Sequence, residues 1–324
     1  MALTLVFPQG RDRDVLKAES SCVTISDAAF VSAGTVCRGS LFSPPEGQVR
    51  AMLVMAPDLG GTVDSGLASF AERLAQSGIK VLAFDYRFFG QSNGKPRQFT
   101  SIQYQLTDWR AALTYAQKLE PSVPLVLWGA ALSSAHALSI ATERSDIAAV
   151  IASNPIIDGF ASVRSLWRSK GLLQGFEVAK TGLWDLARGW FARDPLLIPM
   201  VGKPSSLAAM TTPGALDSFH SIAPDHFVNT ISPGILLSLG CYRPIRRIAR
   251  IRCPVLLQLC LFDEITPRKS GYQAAARIGE QATVKTYDID HFGAYQGSGF
   301  QELVRDQLHF LDTCFPLKDD SEVN

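Results

Sequence analysis

Apolar residues recur along this chain in two rhythms. Six short, nearly continuous apolar runs have the length and content of buried strands: "AMLVMAP" (51–57), "IKVLAFDY" (79–86), "VPLVLWG" (123–129), "IAAVIAS" (147–153), "CPVLLQLC" (253–260) and "ATVKTYDI" (282–289). Between them lie longer stretches with helical spacing, at 66–78, 101–119, 132–142 and 270–278, and a closing one at 301–315. Gly78 is placed to end the first helix, and Ser101 to cap the second. This alternation predicts an α/β protein: a mostly parallel central sheet flanked by helices on both faces. Ahead of the first run, "TVCRGSLFSP" predicts an antiparallel strand pair leading into the sheet.

The rhythm breaks between about 155 and 250. "SVRSLWRSKGLLQGFEVAKTGLWDLARGWFARD" is helix-like and rich in Trp and Leu, and "MVGKPSSLAAMTTPG" reads as a loop. The expected organisation is a core domain formed by 1–154 and 251–324, with 155–250 inserted as a mostly helical cap. Ordinary surface helices are the alternative.

Bulk composition narrows the function. The chain has 324 residues, 47% of them apolar, enough for one large core with an insertion. Lys+Arg is 31 and Asp+Glu is 30, and no charge run stands out, so neither nucleic acid nor an anionic membrane is an expected partner. The first 15 residues lack a signal-peptide pattern, and no apolar run approaches the roughly 20 residues of a membrane helix. Six scattered cysteines without Cys-x-x-Cys spacing read as reduced thiols, so the expected location is cytoplasmic. Five histidines in no cluster with Cys or carboxylates give no metal site, and no cofactor is expected.

The chemistry concentrates at strand ends. "LWGAALSSAH" is a strand, a tight turn and a helix, with small residues Gly129, Ala130, Ser133, Ser134 and Ala135 around Ala131. Asp263 follows the strand "LLQLC", and His291 follows the last strand in "DIDHFG". With "VMAPDLGGT", "LAFDYRFFGQSNGKPRQ" and "QLTDWRAALTYA", these segments fall in one consistent order. In that order the chain resembles the α/β-hydrolase superfamily over most of its length, and within it the fungal polyketide-transferase-like hydrolases of secondary metabolism. The resemblance implies the α/β-hydrolase fold with a cap. It also implies that Ala131 stands at the nucleophile position, Asp263 at the acid and His291 at the histidine. The backbone N–H groups of Leu132 and Leu59 would then form the oxyanion hole.

Two departures from the family pattern matter. An alanine methyl cannot attack a carbonyl, so no acyl-enzyme forms at Ala131. Asp58 stands where relatives usually carry glycine. Turned outward, it would bond loop N–H groups. Turned inward and ionised, it would oppose a developing oxyanion; inward and protonated, it could donate a proton. An Asp263–His291 pair would orient the imidazole and leave its other nitrogen as a base. Trp184, with Trp167, Trp190 and Phe191, points either to an apolar substrate-binding surface or to plain cap packing. His136 and His309 read as structural, His220 and His226 as cap residues at a channel or on the surface. Cys260 reads as buried, Glu264 as solvated, and Arg87 and Asp85 as structural pairs under the loop.

Three functions remain open on the sequence. The first is an enzyme of polyketide-type secondary metabolism acting on an apolar carbonyl substrate by acid–base chemistry: condensation, cyclisation, elimination or isomerisation. The second is a serine hydrolase or acyltransferase for esters or thioesters whose nucleophile has been replaced by Ala131. The third is a non-catalytic binding protein.

Overall fold

A computed structural model describes residues 22–45, 49–191, 193–266 and 268–316. The chain opens with a hairpin, β1 (Thr24–Ser32) and β2 (Thr35–Ser43), paired antiparallel. Its two turn residues, Ala33 and Gly34, have φ of 44° and 83°. A two-residue hairpin turn needs that left-handed geometry. The chain then alternates: β3 (Ala51–Ala56), α1 (Ala68–Ala75), β4 (Ile79–Phe84), α2 (Ile102–Leu119), β5 (Leu125–Ala130), α3 (Leu132–Ala141) and β6 (Ile147–Ser153). A π-helical turn, Val63–Leu67, precedes α1 and holds Gly66 at φ 101°. The first helix therefore starts later than its apolar spacing implies.

The segment between β6 and β9 contains α4 (Gly159–Trp190), β7 (Ile198–Pro199), α5 (Ala215–His220), β8 (Thr230–Ile231) and α6 (Gly234–Cys241). The stretch 200–214, expected as a loop, holds one isolated bridge and is flanked by two short strands that the sequence reading did not place. β7 and β8 form a second, two-stranded antiparallel sheet, and Val201 bridges Met210. Two-residue strands are too short to register as alternation in the sequence. Buried Asp185 ties this segment together, accepting from the Gly234 amide (3.0 Å) and the Leu196 amide (2.8 Å). The core then resumes with β9 (Val255–Cys260), α7 (Arg268–Ile278), β10 (Ala282–Tyr287) and α8 (Gly297–Cys314).

The main sheet has eight strands in the order β1-β2-β4-β3-β5-β6-β9-β10. β2 meets β4 antiparallel, and every later neighbour pair is parallel. Every residue of β3 and β5 is buried, which is why these runs read as continuous rather than alternating. Side chains still alternate between the sheet's two faces. Met52, Val54 and Ala56 join Trp109, Leu113 and Leu138 on one side. Leu53 and Met55 join Phe70, Leu74, Leu303 and Leu311 on the other. The loops after β3, β5, β9 and β10 gather at the strands' C-terminal ends, where α/β sheets carry their ligand sites.

Arg87 and Asp85 do not pair with one another. Arg87 forms a buried ion pair with Asp108: Nε (2.8 Å) and a terminal nitrogen (2.6 Å) both donate to Oδ1, and that terminal nitrogen also reaches Ser32 (2.7 Å). Asp85 instead accepts from the amides of Val63 (2.8 Å) and Gln91 (2.9 Å), fixing the turn that leads into α1. Removing one member of a buried pair strands the other's charge. Asp108→Ala should therefore lower the unfolding free energy by about 3–5 kcal/mol, measured by urea denaturation.

Candidate active site

The turn after β5 is built from small residues because nothing larger fits. A Cβ on Gly129 would lie 2.5 Å from the Ser133 carbonyl carbon and from the Ser134 nitrogen. Ala131 sits at the apex with φ 48° and ψ −111°. That conformation costs a non-glycine residue roughly 1–3 kcal/mol. The surroundings enforce it: the Ala131 N–H donates to the Ser153 carbonyl (2.9 Å), and its own carbonyl accepts from Ile156 (3.1 Å). The strained strand-to-helix elbow is thus complete without a hydroxyl at its tip. Neighbouring serines do not supply one. Ser133 donates to the Ala56 carbonyl (2.8 Å), and Ser134 faces the carbonyls of Gly129 (2.6 Å) and Ser153 (2.9 Å), all buried. Cys260 accepts from the Asn154 amide (3.1 Å), and burial pushes its thiol up to about 12.

His291 and Asp263 meet at the ends of β10 and β9. His291 Nδ1 lies 2.7 Å from Asp263 Oδ2, with both side chains buried. The other Asp263 oxygen accepts from the amides of Ile265 and Thr266, each at 2.8 Å. Burial alone would raise the Asp263 carboxyl. The charge and hydrogen bond of His291, with those two amides, outweigh it and hold the group below the usual carboxylate range. Burial would lower His291, but Asp263, Asp58 and Asp290 overcome it and push the imidazole up to about 9. Glu264 is exposed.

Asp58 turns inward. Its Oδ1 accepts from the Leu132 N–H at 2.9 Å, and the Leu59 amide also stabilises its charge. Leu59 itself is bent to φ 27°. Both amides expected to receive an oxyanion thus serve the protein's own carboxylate. Burial pushes that carboxyl above its usual range; His291 and the two amides pull the other way, and Asp263 adds to the rise. Asp58 and His291 line one small cavity of about 30 Å³, walled by Met200, Met210, Phe219 and Tyr295. Asp58 also lines an apolar cavity of about 80 Å³ formed by Leu59, Leu132, Ile156, Met210, Leu236 and Leu239. A third space, about 10 Å³, joins Ala131 to His291. The site therefore has two arms that meet at Asp58.

Sequence reading named Asp58, Leu59, Ala131, Leu132, Asp263 and His291, and these six line or anchor these adjoining spaces. Trp184 does not join them: it is 57% exposed on α4, and Phe191 is 74% exposed. The side chains of Trp167 and Trp190 lie outside the described residues. The apolar walls come instead from α6 and from Ile156, just beyond β6. His226 is exposed and pairs with Asp64 (2.9 Å), and His220 and His309 are exposed. Gln105, Tyr242 and Asn154 were missed. A signal for Gln105 existed: it shares the buried face of α2 with Asp108, Trp109 and Ala112, and a glutamine on such a stripe needs partners. Among the described residues no cluster of His, Cys, Asp and Glu could hold a metal, and no helix is long and apolar enough to cross a membrane.

Comparison with known proteins agrees with this fold. The family model Hydrolase_4, serine aminopeptidase, S33, matches residues 47–195, which include the elbow. The quorum-quenching protein AidA of Acinetobacter baumannii is 33% identical over 296 residues, 90% of this chain and 96% of its own length. The chain belongs to the α/β-hydrolases, in the family of AidA. Within this superfamily the thiohydrolase aneE of Aspergillus aculeatus is 24% identical over 92% of this chain and 98% of its own. The crystal structure of the α/β hydrolase GrgF from a Penicillium species superposes with a TM-score of 0.73 at 22% identity, over 91% of this chain and all of that one. The chain resembles the fungal polyketide transferases, of which grgF is one.

Restoring a serine tests whether the hole or the hydroxyl is limiting. Ala131→Ser alone should label poorly with a fluorophosphonate probe, because Asp58 holds the Leu132 N–H. Ala131→Ser with Asp58→Gly should label about 10²-fold faster, the scale of one oxyanion donor, as read by fluorescence of the labelled band over time.

Proposed function

We propose that this α/β-hydrolase-fold protein is an enzyme that works by acid–base chemistry on an apolar carbonyl compound, without a covalent intermediate. The observation that carries this reading is the Leu132 N–H bonded to Asp58, together with the alanine at the elbow tip. One absence would be a lost nucleophile. An anion hole filled by the protein's own carboxylate is a different design, in which the proton donor stands where a substrate oxygen would be bound.

In this reading Asp58, protonated, donates to the substrate carbonyl oxygen. His291 takes a proton from the adjacent carbon through Nε2, since Nδ1 is engaged by Asp263. The C–H bond breaks, its electrons form the enol C=C, and the carbonyl oxygen gains the Asp58 proton. The enol then reacts onward by condensation, cyclisation, elimination or reprotonation at another carbon. Asp58 and His291 together hold one proton in the active form, and their titrations belong to the pair. The segment 155–250 acts as a cap, and the apolar arm takes the hydrophobic part of the substrate. A polyketide-type substrate is consistent with the fungal relatives' names.

The strained elbow favours a second reading, since φ 48° and ψ −111° is the geometry a nucleophile uses. That reading, an ester or thioester hydrolase or acyltransferase with its serine replaced, predicts ready labelling of Ala131→Ser alone. A binding protein would show no turnover at all.

The test is turnover of apolar keto compounds followed by mass spectrometry and by solvent deuterium incorporation next to the carbonyl. His291→Ala and Asp58→Asn should each reduce exchange by about 10²-fold or more; full activity in both would end the proposal. The pH profile should be bell-shaped. Activity falls above about 9 as the pair loses its proton and Asp58 can no longer donate. It falls on the acid side, above ordinary carboxylate values, as the pair gains a second proton and His291 ceases to be a base.

A further inference from the structure

A buried chain of hydrogen bonds runs to the Asp58 loop from the far side of α3. Gln105, 3% exposed on α2, donates from its side-chain nitrogen to the Leu59 carbonyl at 2.8 Å. A carbonyl can only accept, so the amide orientation of Gln105 is fixed, and its Oε1 must face the other way. That oxygen lies 3.0 Å from His136 Nε2, which must therefore carry the proton. His136 Nδ1 is then an acceptor for the Tyr242 hydroxyl at 2.9 Å, and the same hydroxyl also faces the Ala135 carbonyl at 3.1 Å. Burial, with Arg110 adding to it, holds His136 down to about 3, so the ring stays neutral and its tautomer is set by its partners. Tyr242 closes the C-terminal end of α6, the helix whose Ile235, Leu236 and Leu239 line the apolar arm. The Gln105 and His136 donors both point toward Leu59.

We propose that Gln105 is the positioning residue for Asp58, holding the Leu59 peptide in its bent conformation so that the Leu132 and Leu59 amides converge on the carboxylate. His136 and Tyr242 fix the amide of Gln105 and connect it to the helix that walls the apolar arm. The roles differ from those of Asp58 and His291: none of the three residues touches the reacting atoms. The inference rests on Asp58 and His291 acting as a pair, and it concerns how that pair is held.

Its consequence is electrostatic. If the Leu59 peptide relaxes, Asp58 loses amide support and holds its proton more tightly. His291, which faces Asp263, Asp58 and Asp290, then loses the support of the Asp58 charge.

The test follows the His291 imidazole by NMR titration, so it reads a proton equilibrium rather than turnover and fails independently of the acid–base reading. In folded Gln105→Leu the His291 pKa should fall by about half a unit or more from the wild-type value. In an Asp58→Asn background the same substitution should have no effect. An unchanged His291 in Gln105→Leu, or an equal shift in both backgrounds, overturns the proposal. Gln105→Met, of similar length and flexible, replaces Gln105→Leu if the latter does not fold, with the same outcomes. In the wild type, imidazole nitrogen shifts should show His136 neutral and protonated on Nε2. A charged ring or the Nδ1–H form overturns it as well.

Discussion

The hydrogen bond from the Leu132 N–H to the Asp58 carboxylate organises this site. It joins the loop after β3 to the start of α3 across the strand ends, at 2.9 Å. An N–H at that place ordinarily waits for charge to develop on a substrate. Here the protein's own carboxyl group already occupies that place. In the proposed mechanism, an anion hole holding a carboxyl group beside an imidazole acts as a proton-transfer pair. The elbow's alanine then becomes consistent with its surroundings: a nucleophile facing an occupied hole would gain little.

Neighbouring features support that bond. The π-helical turn and Gly66 set the path of the loop after β3, Asp85 ties its end, and Gln105 holds its middle. Asp263 orients His291 from the opposite side, with two backbone amides keeping the acid ionised. Three carboxylates, Asp58, Asp263 and Asp290, thus bear on one imidazole. Asp263 is held below the usual carboxylate range, while Asp58 is the one that burial pushes toward protonation. In the proposed mechanism this inequality separates an orienting acid from a donating one.

Much of this was legible in the sequence, for physical reasons. Parallel strands buried on both faces leave continuous apolar runs, so β3, β5, β6 and β9 stood out. A tight elbow tolerates only small residues, so Gly129 to Ala135 marked it. What the sequence could not say was where Asp58 points, because one aspartate in a glycine-containing loop can bond outward or inward at similar cost. Nor could it separate Trp184 from the true apolar wall. Helical spacing around a long inserted helix does not say which face is covered, and α6 supplies the wall with ordinary leucines and isoleucine. The short β7–β8 sheet and the Tyr242–His136–Gln105 chain depend on contacts between residues far apart in the chain. Only the unusual glutamine on an apolar stripe hinted at the latter.

The central claim is that the Asp58 carboxyl lies inside, on the Leu132 amide, and shares a proton with His291. Carbon-13 NMR of the aspartate carboxyls across pH, assigned by loss of one signal in Asp58→Asn, tests it most directly. The account predicts that Asp58 titrates well above the ordinary carboxylate range and that the His291 imidazole responds in the same steps. An Asp58 that titrates near 4, as an ordinary exposed aspartate does, with no response at His291, would contradict it.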